Sequence, residues 1–216
     1  LLLLWALAIQ VWMLCTGLET ANEARAIAVF HAVGFALEVY KVSPAIGSWS
    51  YPDAALTKLF GVPLFAGFMY ASVASYVIQA WRLLDLRVRH HPPFVLAWSL
   101  ALAVYLNIFT HHFLFDARGY LAAAAFGLYA RAQVEFRPLD RIRRMPLLLA
   151  FVLIGFFIWL AENLGTFFAL WRYPHQAEVW ARVHVGKWGS WTLLVLMTFT
   201  LVASLRHVRS RVQVPE

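Results

Sequence analysis

The sequence predicts an all-α, polytopic membrane protein: one bundle of about seven transmembrane helices, N-terminus outside and C-terminus cytoplasmic. Three observations carry this reading. Hydrophobic residues make up 62% of the 216, charged residues only 13%, and the mean hydropathy is +0.67. A soluble domain carries about a quarter charged residues, and a disordered chain carries little apolar surface, so neither class fits. The apolar residues also fall in runs close to the length of about 20 that crosses a hydrocarbon core. Finally, basic residues collect in alternate connections between those runs. A chain of this length is filled by one such domain, residues 1–216.

The runs are 1–18, 24–40, 59–81, 93–115, 119–132, 146–171 and 183–205. The first is Leu-rich and starts at Leu1 without a Met, so the N-terminus reads as trimmed. A span is preferred there to a signal-peptide core, and a further span in front would leave the orientation unaltered. The second carries His31 and Glu38, and Pro63 lies early in the third. The fourth ends in Asn107, His111 and His112. The fifth is short, but its Ala-rich stretch suits close helix packing. Glu162, Asn163 and Thr166 interrupt the sixth, and His184 and Lys187 open the seventh. Trp180, Trp188 and Trp191 read as an aromatic belt at the interface.

Charge fixes the orientation. With strict alternation and a cytoplasmic tail, the inside holds Arg25, Arg82, Arg87, Arg89, Arg131, Arg137, Arg141, Arg143, Arg144, Arg206, Arg209 and Arg211. The outside holds Lys41, Lys58, Arg118, Arg172, Arg182 and Lys187. Twelve against six is the asymmetry of the positive-inside rule, and places the protein in a bacterial inner membrane as a multi-pass component. The net charge of +7 therefore reads as topology; no basic run carries interleaved exposed aromatics, so nucleic acid is not an expected partner. Membrane lipids are. His90 and His91 sit in a basic cytoplasmic stretch and read as a solvated connection.

Ionisable groups inside spans are costly, so each is a functional candidate. His31 and Glu38, seven residues apart, share one face of the second span, as do Asn107 and His111 on the fourth. Glu162 lies nine residues before Trp171, roughly 14 Å along a helix axis. In the assigned orientation these groups gather in the outer half of the membrane. The loop 42–57 is dense in turn formers and aromatics, Trp49 and Tyr51 among them, and reads as a capping or re-entrant segment over the polar groups. Glu38, His111 and Glu162 are the candidate catalytic residues; Lys41, Trp49, Tyr51, Asn107 and Asn163 are the candidate ligand-binding residues. Plainer readings stand beside them: an intrahelical Glu38–Lys41 pair, an interfacial His111–His112 pair, and a salt bridge between Asp116 and Arg118 across a short turn.

No metal site is expected. A catalytic zinc wants three His or carboxylate ligands, and no H-x-x-x-H or H-E-x-x-H spacing occurs. The seven-span hydrolases that include alkaline ceramidases place such a pair late in the chain, where His184 is followed here by Trp188. Cys15 is the lone cysteine, which excludes disulfides and thiolate clusters within one chain. No cofactor is assigned.

The stretches Phe35-Ala36-Leu37-Glu38-Val39-Tyr40-Lys41-Val42, Gly47-Ser48-Trp49-Ser50-Tyr51-Pro52 and Lys58-Leu59-Phe60-Gly61-Val62-Pro63-Leu64 resemble a bacterial integral-membrane family. The likeness continues through Tyr105-Leu106-Asn107-Ile108-Phe109-Thr110-His111-His112. The family is domain of unknown function 817, also called YoaT-like, and the resemblance covers nearly the whole chain. It implies a membrane location and carries no activity. A local likeness over 47–64 to carotenoid hydratases of the bisanhydrobacterioruberin type implies a related polar pocket facing lipid. In that case Glu38 or Glu162 would protonate an isoprenoid double bond while a neighbour orients water.

The expected function is an outward-facing polar pocket that binds or acts on a hydrophobic or amphipathic small molecule, an isoprenoid or lipid among the candidates. A transporter using the same groups as a proton or ion relay is the rival, although no repeat or paired broken helices are visible in the sequence. A structural membrane subunit is the third. Enzyme, carrier and subunit are all compatible with this residue set.

Overall fold

The computed structural model describes residues 1–205 and 212–214. Arg206, Arg209 and Arg211, three of the twelve basic residues assigned to the cytoplasmic side, lie outside the described residues. Among the described residues the chain is mostly helical, with α1 (Leu2–Cys15), α2 (Ala21–Val42), α3 (Ala66–Leu83), α4 (Phe94–Thr110), α5 (Arg118–Tyr129), α6 (Leu147–Phe167) and α7 (Gly186–Ala203). Each helix lies on one of the seven apolar runs, because long stretches of Leu, Ala, Phe and Val have high helix propensity or enough apolar surface to favour it. Among the described residues only α6, at 21 residues, is long and apolar enough by itself to cross a membrane; α1 and α4 are apolar but shorter, at 14 and 17 residues.

The structure corrects the purely helical reading in two places. Residues 59–65, expected to begin the third span, are not helical. Lys58–Leu59 (β1) and Val62–Pro63 (β2) pair antiparallel, with Lys58 opposite Pro63 and Leu59 opposite Val62. Phe60 and Gly61 turn between them with φ of 53° and 80°, the double positive φ of a tight hairpin turn. Pro63 lacks the N–H a helix needs, so α3 starts only at Ala66.

The second correction is a three-stranded sheet in the connections assigned to the cytoplasmic side. Its strands are Arg87–Arg89 (β3), Gln133–Phe136 (β4) and Arg143–Pro146 (β5), in the order β3-β4-β5 and antiparallel throughout. Alternation explains it. Val88 and Val134 are buried, while Arg87 and Arg89 point to the exposed face. His91, read as part of a solvated connection, is buried as well. Its backbone N–H donates to the Gln213 carbonyl at 2.9 Å, and its ring lies against Phe94, Tyr129 and Phe199, with centroids 4.8, 5.6 and 6.1 Å away. His90 alone remains exposed.

The described residues fall into two compact units, residues 1–79 with 161–183 and residues 80–160 with the described residues from His184 onward. In the first, α2 and α3 approach closely. An added Cβ at Gly34 would sit 2.5 Å from the Tyr70 ring, and one at Gly67 would sit 2.7 Å from His31, so both positions require glycine. In the second, α4, α5 and α7 pack around Leu100, Val104, Tyr129, Val195, Phe199 and Val202.

Candidate functional site

The first unit holds a buried carboxylate surrounded by donors. Glu38, on α2, is 2% exposed. Its Oε2 accepts from Trp49 Nε1 at 2.8 Å and from the Tyr51 hydroxyl at 2.7 Å, and its Oε1 accepts from the Tyr70 hydroxyl at 2.7 Å. An indole N–H can only donate, so Glu38 Oε2 is an acceptor in this shell. Three hydrogen bonds also offset the cost of burying the polar carboxyl group.

Local structure explains how each donor arrives. Glu38 follows Ile27, Gly34 and Leu37 on the buried stripe of α2, which Lys41 continues. Gly34 lies one turn earlier and makes room for the Tyr70 ring to reach across from α3. The 42–57 loop folds back over this end of α2, as its turn formers and aromatics predict. Ser48 N–H donates to the Lys41 carbonyl at 2.9 Å, and Ser50 and Arg172 exchange backbone bonds of 2.9 and 2.8 Å. Lys58 Nζ donates to the Tyr51 carbonyl at 2.6 Å, which closes the loop onto the β1–β2 hairpin. Lys41 is itself buried, with Nζ 5.7 Å from the Tyr40 ring centroid, within cation–π range.

A second buried carboxylate comes from α6. Glu162, 5% exposed, accepts from the Tyr173 hydroxyl at 2.5 Å. The Tyr173 ring stands edge-on to Trp49 with centroids 6.0 Å apart, so the phenol lies between the two carboxylate systems. Burial, then the charges of Glu162 and Glu38, push the Tyr173 hydroxyl well above its ordinary range; burial and Glu38 do the same to Tyr51. Both phenols therefore stay protonated and donate. Asn163 holds the segment after α6: its Oδ1 accepts from the Val183 N–H at 3.0 Å. Thr166 receives the Trp180 indole N–H at 3.2 Å, so this tryptophan is tied to α6 as well.

Of the residues selected from the sequence, Glu38, Trp49, Tyr51 and Glu162 thus belong to this network; Asn163 is next to Glu162 on α6 but bonds Val183, and Lys41 lies three residues from Glu38 on α2. Asn107 and His111 belong to the other unit, where they organise the end of α4. Asn107 Oδ1 accepts from Ala117 N–H at 3.0 Å, its Nδ2 donates to Asp116 at 3.5 Å, and His111 Nδ1 lies 2.8 Å from the Asn107 carbonyl. Asp116 and Arg118 form the turn salt bridge expected, with Arg118 Nε at 2.8 Å from Oδ2; that guanidinium holds the Asp116 carboxyl well below its usual range. Among the described residues no group of three or more His, Cys, Asp or Glu is placed to hold a metal.

Sequence reasoning missed Tyr70, Tyr173 and Glu19. Tyr70 is 32 residues from its partner Glu38 and Tyr173 is 11 from Glu162, so no helical spacing links them. Glu19 lies in the α1–α2 turn yet is buried: Oε2 accepts from Gln10 at 2.5 Å and Oε1 from the Ser75 hydroxyl. The signal that could have found it is two amides, Gln10 and Gln79, set in otherwise apolar helices.

The fold and this network define a helical protein with paired buried carboxylates, each bonded to a phenol. The chain belongs to the DUF817 family, described as a protein of unknown function, whose pattern matches residues 1–199. It is 49% identical over 210 residues to the uncharacterised protein YoaT of Bacillus subtilis (strain 168), covering 97% of this chain and 79% of that relative. No solved structure matches.

Proposed function

We propose that this DUF817 protein is a multi-pass inner-membrane protein whose Glu38–Glu162 centre binds, and acts by proton transfer on, a hydrophobic or amphipathic small molecule. The observation that carries the reading is the pair of carboxylates, 2% and 5% exposed, coupled to Tyr51, Tyr70 and Tyr173. Such a network is costly to build in apolar surroundings and supplies carboxyl groups for proton transfer beside phenols that donate hydrogen bonds to them. Glu38 and Glu162 serve as the acid/base groups, while Lys41, Trp49, Tyr51 and Asn163 position the ligand. His111 and Asn107 are a separate candidate set. The local likeness over 47–64 to carotenoid hydratases favours an isoprenoid or another lipid as the ligand.

The membrane part rests on what the helices leave uncovered. α1 buries none of its side chains, and Leu4, Trp5, Val11 and Trp12 are exposed along it. Val95 and Leu102 on α4 and Phe157 and Leu164 on α6 are likewise exposed. Isolated exposed apolar residues need no explanation, but apolar helices bare on their outer faces fit lipid far better than water. Seven spans with the N-terminus outside are part of the proposal, and the charge count of the sequence is what supports that orientation.

The test is a small-molecule inventory. Wild-type protein and the E38Q and E162Q variants are purified in mild detergent, checked for thermal stability, and extracted for mass spectrometry. A hydrophobic compound that accompanies wild type and is lost from folded E38Q and E162Q supports the reading. Identical extracts from all three, with both variants folded, contradict it. A proton-coupled carrier is the second reading, and one observation favours it: His31 lies on the same α2 face as Glu38, and its Nδ1 is buried without a hydrogen-bond partner. Proton uptake into proteoliposomes that H31Q abolishes would select it.

A further inference from the structure

We propose that the β3–β4–β5 sheet and its 137–142 tip form a binding platform for anionic phospholipid headgroups at the mouth of α6. The proposal rests on the membrane reading above. Cross-strand register puts Arg87, Glu135 and Arg144 side by side, and Arg89 beside Gln133, on one face of the sheet. The opposite face carries Val88 and Val134, both buried, so the arginine face is the outer one. Glu135 is buried at its centre and pairs with Arg89 at 2.9 Å and Arg144 at 2.5 Å. One carboxylate thus orders two guanidinium side chains that are still 45% and 58% exposed, while Arg87 lies 3.7 Å from Asp85 at the sheet edge.

Charge and position select the occupant. Residues 82–91 and 131–144 hold eight Arg, no Lys and three acidic residues, which leaves +5 of the chain's net +7 in these two segments. Arg137, Arg141, Arg143 and Arg144 are all exposed. A planar guanidinium matches a phosphate with two parallel hydrogen bonds, which an ammonium does not. The tip also bares Leu139 at 84% and Ile142 at 58%, set among these arginines. Apolar side chains between basic ones are the pattern of a segment lying in the headgroup layer. β5 runs directly into Leu147, the first residue of α6, which among the described residues is the helix both long and apolar enough to cross a membrane. Arg144 on the outer face, with Arg143 beside it on the other face, therefore stands where headgroup phosphates lie. A nucleic acid would instead use exposed aromatics for stacking, and Phe136, the one aromatic in 131–144, is half-buried.

The experiment uses the full-length protein in nanodiscs of phosphatidylcholine doped with photoreactive phosphatidylglycerol or photoreactive phosphatidylcholine. Cross-linked peptides are mapped by mass spectrometry. At least threefold more adducts with phosphatidylglycerol, concentrated in 131–146 and reduced at least twofold by 0.5 M salt, are expected. The variant R137A/R141A/R143A, which leaves Glu135 and its two partners in place, is expected to lose that excess. Equal labelling by the two lipids overturns the proposal, as does phosphatidylglycerol labelling that maps elsewhere. Should the variant not fold, the wild-type adduct map decides alone. Protection by millimolar inorganic phosphate would show a small-anion site and overturn the lipid assignment, and a gel shift with RNA stronger than the lipid preference would do the same. Recovery of the chain in the soluble fraction without detergent would overturn the membrane reading itself. A chain that needs detergent but shows no lipid preference would overturn only this inference.

Discussion

Glu38 sets the residue scale, because its donors come from two separate pieces of chain, Trp49 and Tyr51 from the 42–57 loop and Tyr70 from α3. Tyr70 reaches its Oε1 only because Gly34 has no side chain. Gly34→Ala is therefore expected to displace the Tyr70 ring, lowering stability by roughly 1–3 kcal/mol, as overpacking does, with a reduced melting temperature in detergent as the measurement. Tyr173→Phe removes a hydroxyl that donates to Glu162 and leaves a buried carboxyl group short of that donor. Such a deletion costs about 1–3 kcal/mol, and chemical or thermal unfolding of the variant checks it. His91 gives a pH dependence. Burial holds its pKa below the ordinary 6.5. Below that value the unfolded chain takes up a proton that the folded chain refuses, so the stabilising contribution of neutral His91 is complete above 6.5 and declines as pH falls toward the lowered folded value. His91→Phe, which suits the Phe94 and Phe199 surroundings, is expected to flatten the part of the stability–pH slope that lies just below 6.5. A slope unchanged in that variant would assign the dependence to other groups.

At the scale of elements, the end of α6 offers a local test. Ala169 takes a φ of 56°, while Leu170 N–H bonds the Gly165 carbonyl and Ala169 N–H the Thr166 carbonyl, both at 3.0 Å. This is the Schellman arrangement with alanine where glycine is favoured. Ala169→Gly is expected to raise stability by up to about 1 kcal/mol, visible as a higher melting temperature with the 173–183 segment unchanged. How far elements were legible in the sequence varies with the signal each one carries. Seven apolar runs gave seven helices, since hydrophobic runs of that length are visible without knowing any partner. The break before α3 was only half visible: Pro63 marked a disturbance, but Gly61 and the pairing of Lys58 with Pro63 depend on geometry. The β3–β4–β5 sheet was hidden because its strands are three or four residues long and separated by up to 43 positions, from Arg89 to Gln133. Strands so short show too few alternations to stand out from a basic loop.

At the scale of the whole molecule, composition and charge pattern speak for a membrane protein, and the exposed apolar faces of α1, α4 and α6 point the same way. The candidate site was partly legible on that basis. Glu38 and Glu162 stand out because carboxylates are rare inside apolar runs, and Trp49 and Tyr51 because their loop is rich in turn formers. Tyr70 and Tyr173 were not legible, since a tyrosine within or beside an apolar run has several ordinary uses. Their role comes from long-range contacts that only the fold creates. His111 carried the same sequence signal as Glu38, yet its ring is bonded to the end of its own helix.

The most direct measurement is an experimental density map of the protein in lipid nanodiscs. The account predicts seven helices crossing the lipid belt and an elongated, lipid-like feature ending within hydrogen-bond reach of Glu38 or Glu162. A map in which α6 alone crosses the belt, or in which those carboxylates meet only their tyrosines with no bound molecule, would contradict it.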